Sequence, residues 1–316
     1  MLDVNPLSTE TGPGPLISLD ALKAELNELE AGGFVSIGDD ELLRRLRLIH
    51  GMFRFKSPLY ESGTTLLRAV RVLERPSNQA RVSYPPAAKI RANGRLNRAG
   101  EAMFYGATGD AASCVLACLL ECHCSPGQYF ALSRWRTTSP MILSHLGYSS
   151  ETFDAAKVKR DLPHWAKVPE DSERQALIRA WQARVFTRTI PEGQEHLYRL
   201  SIALRDFALL PITPHHVPNI PQFFAGILYP SIAAYFLGDN VALLPSVVDT
   251  NLKLEEVVYL QVQTIQESPM PDGGKTTGYE CRVEAVAKAV LPDGQLVWSQ
   301  EDTPSFIPVR RPSALP

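Results

Sequence analysis

The 316-residue chain has no excess of charge of either sign: 32 Lys and Arg stand against 34 Asp and Glu, a formal net charge of −2. With no basic run, it lacks the electrostatic footprint by which proteins hold a phosphate backbone, and no nucleic-acid partner is expected. A long apolar run is missing too. The greasiest stretch, residues 223–237, is broken by Tyr229-Pro230-Ser231 and falls short of the roughly 20 residues of a membrane-spanning helix, so no membrane association is expected. Met1-Leu2-Asp3-Val4-Asn5-Pro6 has neither a basic nor an apolar leader region, which makes a cytoplasmic location the expectation. Five cysteines, four of them between Cys114 and Cys124, do not form a secreted disulfide framework. Internal repeats are absent. So are a Walker loop, a dinucleotide-binding glycine fingerprint and a nucleophile elbow.

What is present reads as an ordinary globular composition, 45% hydrophobic and 21% charged. Ser18 is placed to cap a helix over residues 19–30 that stops at Gly32-Gly33, and a second amphipathic helix fits 39–50. These form an N-terminal helical accessory segment, residues 1–55. β-type alternation marks 64–73, and a short strand covers 103–107. Asp110 is placed to cap a helix over 111–122, and 128–136 again alternates like a strand. Helices are expected over 170–187 and 192–207, and a buried strand over 223–229. Three alternating runs, 254–265, 279–289 and 295–299, are separated by Pro-Asp-Gly turns and make an antiparallel sheet. The fold class is α+β, with mixed or antiparallel sheets surrounded by helices. One main domain spans 56–305, followed by a tail at 306–316.

The chemistry concentrates in Gly94-Arg95-Leu96-Asn97-Arg98-Ala99-Gly100, a loop that runs into Phe104-Tyr105-Gly106. Two arginines and an Asn on a Gly-bounded loop suit an anionic, planar ligand, because guanidinium forks bind phosphate oxygens bidentately and also stack on rings. Two further blocks accompany this one: Leu67-Arg68-Ala69-Val70-Arg71, and Tyr229-Pro230-Ser231 followed by Asn240-Val241-Ala242-Leu243. Together they resemble the RES-domain family over roughly residues 60–262.

That resemblance implies a core related to ADP-ribosyltransferases and a pocket for NAD. The implied reaction breaks the nicotinamide–ribose bond, with water, phosphate or a protein as acceptor. An oxocarbenium-like state forms in that step, which a nearby carboxylate stabilises, and the arrangement needs no metal. By position, Arg68 and Arg95 are the phosphate-binding pair and Tyr105 the aromatic wall. Asn97 and Asn240 accompany them in the pocket, and Ser231 is the family serine. Ser231 also precedes an apolar stretch, so it reads equally as a helix N-cap. The resemblance further implies a toxin with a cognate antitoxin protein; a homo-oligomer is also open. An ADP-ribosyltransferase acting on a protein, and a RES-like module that binds without catalysis, are the alternatives.

The acid is the difficulty. The family's glutamate lies about three turns along the helix after the tyrosine strand, and that count lands on Leu116. The next glutamate is Glu121, five residues on, which is a rotation of about 140° and a rise of about 7.5 Å on an unbroken helix. Either the connection at 106–112 is longer and the helix starts later, which makes Glu121 the catalytic acid, or the acid is lost. Cys114, Cys118 and Cys122 recur every four residues beside His123 and Cys124. Three such thiols span about 12 Å and do not converge on one ion, so a face of small buried cysteines is expected and no metal site. His215-His216, in a Pro-rich loop, is a candidate for the pocket rim.

Overall fold

Alternation of apolar and polar residues becomes one large sheet. The computed structural model describes residues 2–4, 16–51, 53, 55–57, 59–155, 161–163, 166–167, 170, 172–209, 224–234, 236, 238–269 and 275–307. The strands are β1 (Leu2–Val4), β2 (Phe55–Ser57), β3 (Leu59–Tyr60), β4 (Thr65–Val72), β5 (Phe104–Thr108), β6 (Tyr129–Thr137), β7 (Met141–His145), β8 (Phe224–Pro230), β9 (Asp239–Leu243), β10 (Leu252–Pro269), β11 (Lys275–Val290) and β12 (Leu296–Ser299). β1 and β2 pair by themselves. The other ten form one sheet in the order β12-β11-β10-β6-β4-β5-β9-β8-β7-β3, antiparallel except for β7 against β8. The three C-terminal runs therefore extend the main sheet through β6 rather than forming a sheet of their own.

Seven α-helices are present among the described residues: α1 (Leu19–Glu28), α2 (Asp39–His50), α3 (Ala111–Glu121), α4 (Ser150–Ala155), α5 (Glu173–Thr187), α6 (Arg199–Ala208) and α7 (Pro245–Asn251). The caps are the expected ones: Ser18 Oγ accepts from Ala21 N–H, and the Asp110 carboxylate accepts from Ser113 N–H at 3.0 Å. The molecule is thus a mixed α+β protein. The expected single helix over 192–207 is instead a 3₁₀ turn, Glu195–Tyr198, running into α6. β7 and β9 carry no clear alternation because both are buried on both faces. His215-His216 and residues 308–316 of the tail lie outside the described residues.

The sheet has two faces. Leu66, Phe104, Val241 and Leu243 point into one cluster, and Leu67 and Ala107 point the other way, beneath α3. On that second side, Ile227, Tyr229 and Ala242 join a cluster with Leu22 and Leu26 of α1, Leu42 and Leu46 of α2, Trp181 of α5 and Phe207 of α6. The N-terminal helices therefore share a core with strands β8 and β9 of the sheet.

At their centre is His50, the last residue of α2 and fully buried. Its Nδ1 lies 2.8 Å from Leu46 O, which can only accept, so Nδ1 carries the proton. Nε2 is then the acceptor for the Gln182 amide of α5 at 3.0 Å. Burial pulls the His50 pKa down to about 4. The unfolded chain binds a proton near pH 6.5 and the native state does not, so stability is complete above that pH and falls as pH drops toward 4. His145, also pushed down by burial, adds in the same direction. We expect unfolding free energy to fall by about 2 kcal/mol from His50 alone between pH 7.5 and 5. Urea titrations at the two pH values should give a smaller difference for His50→Gln than for the wild type. Equal pH dependence would show that His50 is not held neutral.

Candidate active site

β4 and β5 are neighbours that barely pair. Their one register pair is Leu67 with Ala107, whereas β4 follows β6 from Thr65 to Val72 and β5 follows β9 along its whole length. Past Leu67 the two strands splay, leaving backbone groups along the gap without a ladder partner. Such groups are costly unless other donors reach them. Three side chains do. Arg68 Nη1 donates to Tyr105 O at 2.5 Å, Cys118 Sγ to Leu67 O at 3.4 Å and Cys122 Sγ to Ala69 O at 3.5 Å. The spacing matches: four helical residues rise about 6 Å, close to the advance of two strand residues. The i, i+4 cysteines thus seat α3 along the edge of β4. All five cysteines are free, and burial raises the thiols of Cys114 and Cys124 to about 12 and that of Cys122 to about 11. Among the described residues no group of His, Cys, Asp and Glu could hold a metal ion.

The gap opens into a cleft of about 350 Å³ lined by Arg68, Arg95, Asn97, Tyr105, Glu121 and Asn240, with Tyr198 and Tyr229. Arg68 is pinned from the other side as well, donating from Nε to Ser83 O at 3.0 Å, and its guanidinium lies over the Phe104 ring at 5.3 Å. Burial lowers its pKa, yet an arginine remains a cation. Nη2 has no hydrogen-bond partner among the described residues. Arg95 donates from Nη1 to Phe186 O at 2.5 Å and Arg188 O at 3.2 Å, at the C-terminal end of α5, and lies over the Tyr198 ring at 5.5 Å. Both arginines are therefore partly structural and keep a further nitrogen for a ligand.

The loop that carries Arg95 is fastened to α6. Ser201 Oγ donates to Arg95 O at 2.6 Å, Arg98 pairs with Asp206 at 2.5 Å and Arg205 with Glu101 at 2.7 Å. Arg98 is thus spent on the scaffold. Asn97 is buried: its Oδ1 accepts from the Tyr105 hydroxyl at 2.7 Å, and that hydroxyl accepts from Leu96 N–H at 3.1 Å. Burial raises the Tyr105 pKa, so the phenol stays protonated and donates. The expected stacking role has to be shared with this one, since the hydroxyl locks the loop. Gly94 makes room, because a Cβ there would lie 2.5 Å from Asn97 Oδ1.

Glu121 is the last residue of α3. Its Oε1 accepts from Ser231 Oγ at 2.8 Å and from Asn240 Nδ2 at 2.6 Å. Oε2 has no hydrogen-bond partner among the described residues. The helix starts at Ala111, as its cap implies, so a later start is not what brings Glu121 to the cleft. It arrives because the last turn of α3 is the part that meets the gap; half-buried Leu116, one turn earlier, does not line the cleft.

Ser231 does not cap a helix. The connection from β8 to β9 reverses the chain for antiparallel pairing, and its described residues 232–234 and 236 lie in a turn. Ser231 N–H donates to Gly238 O at 2.9 Å, Phe236 N–H to Ser231 O at 2.8 Å, and Ala234 N–H to Ser231 Oγ at 3.2 Å. The serine closes a turn and is buried behind Glu121 rather than lining the cleft.

Comparison with protein-family models, with curated proteins and with solved structures finds no match. The site stands on its own geometry.

Of the residues singled out in the sequence, Arg68, Arg95, Asn97, Tyr105, Glu121 and Asn240 line one cleft, with Ser231 behind the acid. Tyr198 and Tyr229 are additions. Tyr229 stands directly opposite Asn240 on β8 and β9 and hence on the same face, a signal available only once the register is known.

Where the two strands still meet, Gly106 is fixed by close approach: a Cβ there would lie 2.7 Å from Leu67 O and 2.9 Å from a Phe104 ring carbon. We expect Gly106→Ala to cost roughly 1–3 kcal/mol, as overpacking of a dense site does. Gly278→Ala is the control: its Cβ meets nothing closer than 3.9 Å, so stability should hold or rise. Denaturant midpoints decide, and equal midpoints for the two variants would contradict the close approach.

Proposed function

We propose that this cleft binds NAD and that the protein cleaves the bond between nicotinamide and ribose. The observation that carries the reading is the Glu121 carboxylate, gripped through one oxygen by Ser231 and Asn240, in the same cleft as the cations Arg68 and Arg95. Five separate chain segments supply these groups, and all of them but Glu121 lie in the blocks by which the sequence resembles the RES-domain family.

The chemistry suits the parts. The Arg68 and Arg95 guanidiniums offer donors to the pyrophosphate. Tyr105, Tyr198 and Tyr229 supply rings and apolar walls. When the C1′–N bond breaks, its electron pair goes to the pyridinium nitrogen and nicotinamide leaves neutral, so no acid is needed on the leaving group. Positive charge develops on the ribose, where the Glu121 carboxylate stabilises it. Water or phosphate then bonds to C1′; with water, the released proton passes to Glu121 or to solvent. The same resemblance brings the toxin reading and a cognate antitoxin protein that covers the cleft. Depletion of NAD inside the cell that makes the protein requires such a block.

Purified protein incubated with NAD, with and without inorganic phosphate, should release nicotinamide. Glu121→Ala should lower kcat by about 10²–10⁴, the span of a positioned acid–base or charge-stabilising group. Ser231→Ala should lower it less, since the carboxylate stays. No release under either condition, or release undiminished in Glu121→Ala, overturns the proposal.

A further inference from the structure

A second cleft, of about 370 Å³, adjoins the first and shares Arg95 and Tyr198 with it. It lies between the C-terminal end of α5, the 3₁₀ turn at Glu195–Tyr198 and the segment that follows α1. Its walls divide by chemistry. Phe34, Val185, Ile190 and Leu197 give an apolar floor. Two arginines stand over it and differ in what they already hold. Arg184 is bound bidentately by Glu30, at 2.9 and 3.1 Å. Arg188 is exposed, and its side chain makes no hydrogen bond or ion pair among the described residues. The backbone of that same turn is what Arg95 grips, through Phe186 O and Arg188 O. Arg95, which lines both cavities, is thus fixed to the backbone of Arg188, whose side chain lines the second.

Size decides what spans them. Each cleft is at the small end of the roughly 300–1,000 Å³ of ligand pockets. A dinucleotide has two ribosyl-base halves, and the two adjoining clefts are of nearly equal size. We infer that the second cleft is the subsite for the adenosine-phosphate half of the substrate, with Arg95 and Arg188 flanking the pyrophosphate where it crosses the shared wall; this rests on the NAD reading above. The two cavities then act as one bipartite site, and the protein prefers the dinucleotide to nicotinamide mononucleotide, which carries the same scissile bond without the second half.

Nicotinamide release from NAD and from nicotinamide mononucleotide gives the ratio of the two kcat/KM values. The wild type should favour NAD by at least about tenfold, the discrimination of a single well-made contact. Arg188→Glu, which reverses the charge at the wall, and Ile190→Trp, which fills the floor, should each bring the ratio near one, chiefly through KM for NAD. Equal kcat/KM values in the wild type, or a ratio that neither variant moves, overturn the second subsite while leaving the cleavage reading intact. Should neither compound release nicotinamide, the cleavage reading fails by itself. Calorimetric titration of Glu121→Gln with both compounds then decides the subsite: tighter binding of NAD that is lost on adding Arg188→Glu supports it, and equal or absent binding overturns it.

Discussion

Two strands that begin to pair and then part are what the rest of the site depends on. After Leu67 meets Ala107, β4 stays with β6 and β5 with β9. A sheet opened in this way exposes polar backbone that has to be satisfied by something other than a strand, and the chain supplies a guanidinium and two thiols. Each of these donors does a second job. Arg68 brings a cation to the floor of the cleft. The cysteines fix the slide of α3 along β4, and hence where Glu121 comes to rest. The cleft is therefore the defect in the sheet, closed on its sides by groups that also give it charge.

The scaffold around that defect is held by buried polar contacts as well as by apolar packing. Arg205, with a side chain only 3% exposed, pairs with Glu101 and Asp206 and so ties the arginine loop to α6. His50 and Gln182 join α2 to α5 in the same cluster that contains Ile227 and Tyr229. Buried polar contacts of this kind favour the arrangement in which the partners meet. Loop, helices and strands β8 and β9 are consequently one unit around the cleft.

Much of this was legible in the sequence, because caps and alternation are local. Ser18 and Asp110 start their helices where they should, and strands β4, β5 and β6 fall close to their expected bounds. What was not legible depends on register and direction. β7 and β9 are buried on both faces and carry no period-two pattern. The apolar residues after Ser231 look helical by composition, yet those described, 232–234 and 236, lie in a turn on the return to β9. The same gap explains the glutamate: counting turns from Tyr105 locates a residue on α3 but not the end of α3 that faces the cleft. Likewise, the four-residue recurrence of cysteine was readable as a buried face, while its match to the β4 carbonyls requires the strand beside it.

The grip on Glu121 has a consequence for how a ligand experiences that carboxylate. A free glutamate is symmetric, and its two oxygens exchange by rotation about the last side-chain bond. Here Ser231 and Asn240 both hold Oε1, so the group is labelled: one oxygen belongs to the protein and the other to whatever enters. The rotational freedom is surrendered when the chain folds rather than when a ligand arrives. The turn after β8 and a side chain from β9 thereby decide, before any encounter, the direction from which negative charge is presented.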